Sequence, residues 1–256
     1  ICRQAVSVQT VSAERIRGEL VRILTEGGAR RGFELLDELS LLAHLLPEVK
    51  AYQGVEQPPE FHPEGDVWTH VLIMLERMGT AHSSLALGVL LHDVGKPSTF
   101  RRAERIRFDG HAEVGALMAK GVLERLRFSN DEVEQVTALV AYHMKFKDVT
   151  KMRASTLKRF VRMPHFGDHL ELHRLDCLAS NGRRDSYDFV RRKLTEFSEQ
   201  TLHPPRLISG RDLIAAGYLP GPAFAEALDA VETGQLEGEV HTPSEALERA
   251  KRVLDG

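Results

Sequence analysis

The stretch Leu85-Ala-Leu-Gly-Val-Leu-Leu-His-Asp-Val-Gly-Lys96 decides how the chain is read. An apolar run from Leu85 to Leu91 ends abruptly in His92-Asp93, and Gly95, Lys96 and Pro97 stop the element. Imidazole and carboxylate are both costly to bury unless something pairs them. A divalent cation suits a neutral imidazole and a carboxylate together. The plain alternative is a helix C-terminus whose histidine lies near the last carbonyls.

Working outward, nearly every segment has helical spacing. Val67, Val71, Met74, Leu75 and Met78 form one stripe, and Ile16, Leu20, Ile23 and Leu24 another, with Ser12 as N-cap and Gly27-Gly28 as stop. Ser129-Asn-Asp-Glu132 reads as a capping box ahead of Val133, Val136 and Val140, and Ser209-Gly-Arg-Asp212 as a further cap. Leu170 to Ala179 predicts another helix, and Ala223 to Glu237 one more after the break at Gly217 and Pro220-Gly-Pro222. Pro58, Pro59 and Pro63 make residues 54–65 a loop. Arg105-Ile-Arg-Phe108 is at most a short extended piece, and no Gly-rich phosphate loop opens a βαβ unit. The expected fold class is all-α. A helical neck over 1–59, a central bundle over 60–195 and a helical tail over 196–256 are the expected divisions.

Composition narrows the class. Hydrophobic residues make up 42% and charged residues 28%, a balance that a packed core needs and a disordered or fibrous chain lacks. No apolar run reaches the ~20 residues of a membrane span, and two distant cysteines, Cys2 and Cys177, suggest a reduced, cytoplasmic setting. The net charge of −3 hides an asymmetry. Residues 143–193 hold 13 Lys+Arg against 6 Asp+Glu, a balance of +7; residues 201–256 hold 5 against 9, a balance of −4. Within the basic part Lys145, Lys147, Lys151, Arg153, Lys158, Arg159 and Arg162 meet a single acid, Asp148. That pattern fits either a solvated face or a phosphate-backbone contact. Ile1 in place of Met suggests a piece of a longer chain.

Five helices each point a histidine or aspartate inward. His70 lies with Val67, Val71 and Met74; His143 continues the Val136–Val140 stripe; Asp176 falls between Leu172 and Ala179; His111 opens a helix after Gly110; His92-Asp93 is the fifth contribution. Singly, each reads as a hydrogen-bonded core histidine, or as an aspartate paired with Arg174 or Arg191. Together, six ionisable groups facing one bundle core call for a metal ion. His169 and His173, spaced i, i+4 beside Asp168, Glu171 and Arg174, are expected on a solvated face, and His44, His62, His82, His165, His203 and His241 on loops or the surface.

The order His70 … His92-Asp93 … Asp176 resembles the HD superfamily of metal-dependent phosphohydrolases, whose pattern is H…HD…D on a helical bundle. The resemblance implies that His70, His92, Asp93 and Asp176 ligate one divalent ion. His111 and His143 are similar to the extra histidines of two-metal members and would hold a second ion, with Asp93 bridging. One or two ions are implied, of manganese, nickel, cobalt, iron or magnesium. Catalysis would rest on metal-activated water, with Asp93 at the centre. Lys96 resembles the lysine that contacts substrate phosphate in several such enzymes; otherwise it is a helix C-terminal cation.

A second resemblance covers more of the chain. Phe61-His-Pro-Glu-Gly-Asp-Val-Trp-Thr-His70, Arg107-Phe-Asp-Gly-His-Ala-Glu-Val-Gly115, Arg125-Leu-Arg-Phe-Ser-Asn130 and Leu172-His-Arg-Leu-Asp-Cys-Leu-Ala-Ser-Asn-Gly182 resemble bacterial tRNA nucleotidyltransferases, the CCA-adding enzyme and poly(A) polymerase family. Val11–Ile16 is similar to that family's neck, and Leu207–Ile214 and Pro220–Phe224 to its C-terminal region. Gly27-Gly28-Ala-Arg30 is not the Gly-Gly turn of the family's polymerising head, because it follows a helix and no Asp-x-Asp strand comes near it. The resemblance therefore implies neck, body and tail, with the head absent or acting in trans, and no nucleotide addition by this chain alone. It implies an RNA-end or nucleotide phosphoester substrate, of the 2′- or 2′,3′-cyclic type, and tRNA contact through the basic stretch. The alternative is a non-catalytic tRNA-binding body whose metal site is structural. The N-terminal helices would pack on a head or form a dimer.

Overall fold

A computed structural model describes residues 2–255; Ile1, Gly256 and the side chains of Cys2, Arg3, Gln4 and Val6 lie outside the described residues. After a 3-10 turn at Cys2–Thr10 the chain enters α1 (Ala13–Thr25), and Gly27 and Gly28, both at positive φ, turn it into α2 (Ala29–Glu38). Ser12 holds the N-cap position with extended backbone, but its hydroxyl makes no capping bond. Short helices α3 (Leu42–Leu45) and α4 (Pro47–Lys50) lead into the proline-rich loop. Asp66 closes that loop from both sides. One carboxylate oxygen accepts from Thr69 N at 2.9 Å and caps α5 (Val67–Met78); the other accepts from Gly54 N at 2.8 Å.

α6 (Ser83–Leu91) is the axis of the first unit. Every residue from Ser84 to Leu91 is buried, so the helix has no solvated face and its end at His92-Asp93 is carried into the interior. A helix apolar all round must be enclosed by others. α5, α9 (Asn130–Tyr142), α11 (Phe166–Ala179) and α1 supply the walls, α8 (His111–Arg125) packs on α9, and the short α7 (Lys96–Thr99) follows the His-Asp turn. The Tyr52 hydroxyl donates to Leu90 O at 2.9 Å and fixes the end of α6 to the neck. The Ser129–Glu132 capping box forms as the sequence predicts. The only strands among the described residues are Arg101–Arg102 and Ile106–Arg107, an antiparallel ribbon between α7 and α8.

Residues 1–146 and 165–187 make one compact unit; residues 147–164 and 188–256 make the other. Neck and bundle thus share one core, running from Leu20 and Phe33 through Leu90 and Leu139 to Leu175. The second unit includes α10 (Ala154–Val161), α13 (Glu199–Leu202), α14 (Gly210–Ala215), α15 (Ala223–Glu237) and α16 (Pro243–Leu254), after α12 (Asp185–Glu196). Leu213, Ala227, Val231, Ala246 and Ala250 form its core. Capping boxes Ser209–Asp212 and Thr242–Glu245 start α14 and α16. The second is a Thr-Pro-Ser-Glu signal that the sequence analysis did not use.

Two glycines set how closely the site-bearing elements approach. A Cβ on Gly95 would lie 2.1 Å from the backbone oxygen of His111 and 2.7 Å from Gly115 N, and one on Gly88 would lie 2.7 Å from Leu139 Cδ1. Backbone cannot yield as a flexible side chain can. Gly95→Ala is therefore expected to push α8 from the His-Asp turn and destabilise the chain by about 1–3 kcal/mol. The urea midpoint checks this; Gly121→Ala, where nothing lies near the added methyl, serves as the control.

Candidate metal centre

Asp93 is 1% exposed, and imidazoles from four elements converge on it. Oδ2 lies 3.1 Å from His92 Nε2 and 2.7 Å from Lys96 Nζ. Oδ1 lies 3.6 Å from His111 Nε2 and 3.8 Å from His143 Nε2. His70 Nε2 lies 3.3 Å from Asp176 Oδ1, off the line of a hydrogen bond. The ligand atoms of His70, His92 and Asp93 fall within 4.8 Å of one another, and so do those of Asp93, His111 and His143. Asp93 belongs to both groups. All six residues expected to ligate metal are brought to one place, with Asp176 on its more exposed side.

The far ring nitrogens explain why the near ones point inward. His92 Nδ1 sits 3.0 Å from Val89 O, His111 Nδ1 2.8 Å from Phe108 O and His143 Nδ1 2.7 Å from Val140 O. In each case a backbone carbonyl three residues earlier takes the Nδ1–H, which fixes the ring and leaves Nε2 toward Asp93. His70 is held differently: its Nδ1 donates to Glu64 Oε1 at 2.6 Å. The same oxygen lies 2.8 Å from His62 Nδ1. Glu64 and His62 come from the proline-rich loop, and the sequence analysis missed both, placing His62 on a loop or the surface. It is in the loop but half-buried, edge-on to the His70 ring. The signal was Asp66, whose capping of α5 marks residues 62–65 as the approach to the helix that carries His70.

Burial and charge divide the imidazoles into two sets. Burial lowers His143 to about 3 and lowers His111 as well, so both are neutral near pH 7. Their Nε2 atoms nonetheless face each other at 3.2 Å. Two lone pairs at that distance repel unless a cation lies between them, and two nitrogens each ~2.1 Å from one ion would be ~3.0–3.4 Å apart. Burial would also lower His70, but the carboxylates of Asp176 and Glu64 outweigh it and raise the imidazole to about 9. Burial disfavours the charged forms of Glu64, Asp93 and Asp176, yet the facing imidazoles hold Glu64 at about 2 and keep Asp176 far below the usual carboxylate range. His92 and Lys96 do the same for Asp93. His70 Nε2, His92 Nε2 and Glu64 Oε2 are buried without a hydrogen-bond partner, while Asp93 Oδ2 has the Lys96 ammonium at 2.7 Å. Such orphans are rare in folded chains and are met by an ion. The donor set of imidazoles and carboxylates fits one or two borderline divalent cations.

Other expected residues fare variously. Lys96 is buried, and its ammonium is held between Asp93 and Gln57 Oε1, 2.6 Å away, so it is engaged with the centre itself. Arg174 pairs with Glu171 at 2.6 Å, which leaves Asp176 to His70. His169 is 3% exposed and His173 half-buried, stacked on Phe146 at 4.3 Å; the expected solvated face is an interior one. In the basic stretch Lys145 lies over the Tyr142 ring at 4.1 Å. Lys147, Lys151 and Arg153 are exposed. Lys158, Arg159 and Arg162 meet a competing demand within the second unit. Lys158 Nζ donates to Leu236 O at 2.7 Å, Arg159 pairs with Asp229 at 2.9 Å, and Arg162 pairs with Glu232 at 2.8 Å. These three secure α10 to α15, a use that a count of charges does not reveal.

Sequence matches to known proteins cover most of the chain. Residues 66–175 match the HD domain, and residues 1–53 match the probable RNA and SrmB-binding site of polymerase A. An A-adding tRNA nucleotidyltransferase of Deinococcus radiodurans is 36% identical over 250 residues, 91% of this chain and 56% of the relative. A CC-adding tRNA nucleotidyltransferase of Thermus thermophilus is 36% identical over 244 residues, 91% of this chain and 55% of the relative. A multifunctional CCA protein of Halorhodospira halophila is 34% identical over 237 residues, 89% of this chain and 56% of the relative. The chain spans about half the length of these relatives. No helix among the described residues is long and apolar enough to cross a membrane.

Ligation requires unprotonated imidazole, so ion uptake and pH are linked. Without metal, His70 holds a proton from its ordinary value near 6.5 up to about 9. The stability this gives is full below 6.5 and is lost as pH rises through 9. His143, neutral down to about 3, works the other way: as pH falls below 6.5 the unfolded chain takes a proton that the folded one refuses. At pH 7 ion binding is therefore expected to release about one proton, from His70, and affinity to rise about tenfold per pH unit toward 9. Calorimetry in two buffers of different ionisation heat reads the proton directly.

Proposed function

We propose that this chain, which is related to the bacterial tRNA nucleotidyltransferases and matches the HD domain and the RNA-binding region before it, is a metal-dependent phosphohydrolase acting on 2′- or 2′,3′-cyclic phosphoesters of nucleotides or RNA ends. The observation that carries the proposal is the convergence of His70, His92, His111 and His143 on one buried carboxylate, their Nε2 atoms inward and their Nδ1 atoms already engaged. His70, His92, Asp93 and Asp176 would hold one ion, and Asp93, His111 and His143 a second. A divalent ion there supplies Lewis acidity toward a phosphoryl oxygen and a water that ionises near neutral pH.

The chain's own residues do the rest. Asp93 and Lys96 set the charge at the centre: one carboxylate is matched by one ammonium, and His111 and His143, neutral through burial, are free to act as ligands. Gln57 holds Lys96 from the loop side. Glu64 fixes the tautomer of His70. The Asp176 side chain is 29% exposed against 2% for Asp93, so a phosphoester reaches the centre from the Asp176 side. Cys177 is a poor competitor for water as nucleophile: burial pushes its thiol up to about 12, and it lies against His173.

A second reading is favoured by the relatives' own names, which describe nucleotide addition to tRNA. On it the chain is a tRNA-binding body and the metal centre a structural clamp, with any nucleotidyltransferase head in cis or in trans. Turnover of 2′,3′-cyclic AMP separates the two. Hydrolysis is expected with manganese, cobalt or nickel, and Asp93→Asn is expected to lower it at least ~10³-fold with little change in tRNA affinity, in line with removing a group the reaction depends on. No turnover with any divalent ion would favour the clamp.

A further inference from the structure

The ribbon between α7 and α8 breaks a rule of strand pairing. Phe100–Phe108 carries four arginines, Arg101, Arg102, Arg105 and Arg107, against one acid, Glu104, a balance of +3 over nine residues. In the ladder Arg101 stands directly opposite Arg107, and Arg102 opposite Ile106. Directly opposed residues share a face, and like charges so placed are destabilising. A two-residue strand pair has little other support.

The arginines divide by task. Arg102, on the other face, pairs with Glu56 at 2.9 Å and ties the ribbon to the proline-rich loop. Arg101, Arg105 and Arg107 are exposed and have no carboxylate within ion-pair distance among the described residues. Aromatic rings flank them: Phe100, exposed, and Phe108, half-buried, lie 5.8 Å apart. The ribbon also joins the metal centre at both ends. It begins four residues after Lys96, and the carbonyl of Phe108 holds His111 Nδ1. The Phe108 ring lies 5.4 Å from Lys96 Nζ.

We infer that this arginine ribbon is a binding site for the phosphate backbone of RNA, with Arg101, Arg105 and Arg107 on successive phosphates and Phe100 as a stacking surface for an unpaired base, and that it delivers the RNA end to the adjacent metal centre. Opposed guanidinium groups are stabilised when anions lie across them, and guanidinium presents the fork that phosphate oxygens accept. The arginines stand on an open ribbon rather than in a cavity, which suits a chain of phosphates better than a single one. Exposed basic residues interleaved with aromatics are the pattern of single-strand binding. The inference deepens the proposed hydrolysis and rests on it only for the delivery step; the RNA contact stands by itself.

The test measures anisotropy of a fluorescein-labelled RNA hairpin with an unpaired 3′ end, titrated with the full chain over a range of salt. The variants are Arg101→Ala/Arg105→Ala/Arg107→Ala and the matching triple lysine chain. The alanine chain is expected to bind about tenfold or more weakly and to lower the slope of log affinity against log salt by about 2, at ~0.7 for each contact to a single strand. The lysine chain should keep most of the slope, because it keeps the charges. Neither should melt below the wild type, and both should hydrolyse 2′,3′-cyclic AMP at the wild-type rate, since a mononucleotide does not span the ribbon. An unchanged slope in the alanine chain overturns the inference. So does competition by polyglutamate equal to that by RNA of the same charge, which would make the ribbon a surface for acidic protein. If the wild type does not turn over cyclic AMP, the hydrolase reading fails, and the salt slope still decides the ribbon.

Discussion

A carboxylate that water cannot reach governs this structure. Asp93 ends a helix with no solvated face, so its charge must be matched by groups the protein brings to it. An isolated buried carboxylate would take a proton rather than stay ionised. Here it stays ionised, because Lys96 sits against one oxygen and imidazoles from three helices and the turn surround it. Much of the first unit follows from that requirement. Gly95 lets the His-Asp turn touch the start of α8, Gly88 lets α9 lie close on α6, and Tyr52 pins the end of α6 from the neck.

The imidazoles around Asp93 are not equivalent, and the difference lies in what holds their outer nitrogens. Carbonyls hold His111 and His143, and burial keeps both neutral. A carboxylate holds His70, and a second carboxylate faces its inner nitrogen, so it retains a proton well above neutrality. One side of Asp93 is thus ready for a cation and the other exchanges a proton for one. Outer partners of this kind set ligand basicity as well as orientation.

The inward set was legible in the sequence because helical periodicity is a strong signal. His70 shares a stripe with Val67, Val71 and Met74, and His143 continues Val136 and Val140; both are buried. Asp176 and His111 likewise fall where the spacing puts them. Glu64 and His62 were not legible, since a proline-rich loop has no period and what fixes it is a pair of hydrogen bonds to Asp66. Charge counting was the weaker guide. It marked Lys158, Arg159 and Arg162, whose carboxylate and carbonyl partners lie some 40 to 78 residues further along the chain. It passed over the arginine ribbon, where the decisive fact is which residues stand opposite one another. His169 shows the same limit: its neighbours in sequence are polar, while its neighbours in space are the rings of Tyr142 and Phe166.

The inward imidazoles and carboxylates form either a metal centre or a packed polar core. Elemental analysis of the chain purified without chelator or affinity nickel distinguishes the two. A metal centre gives close to two divalent ions per chain, falling to about one when His111 and His143 are both replaced by alanine, since Asp93 then serves a single group. No bound ion in the wild type, even after incubation with manganese, cobalt or nickel, would contradict it and leave the four histidines as packing residues.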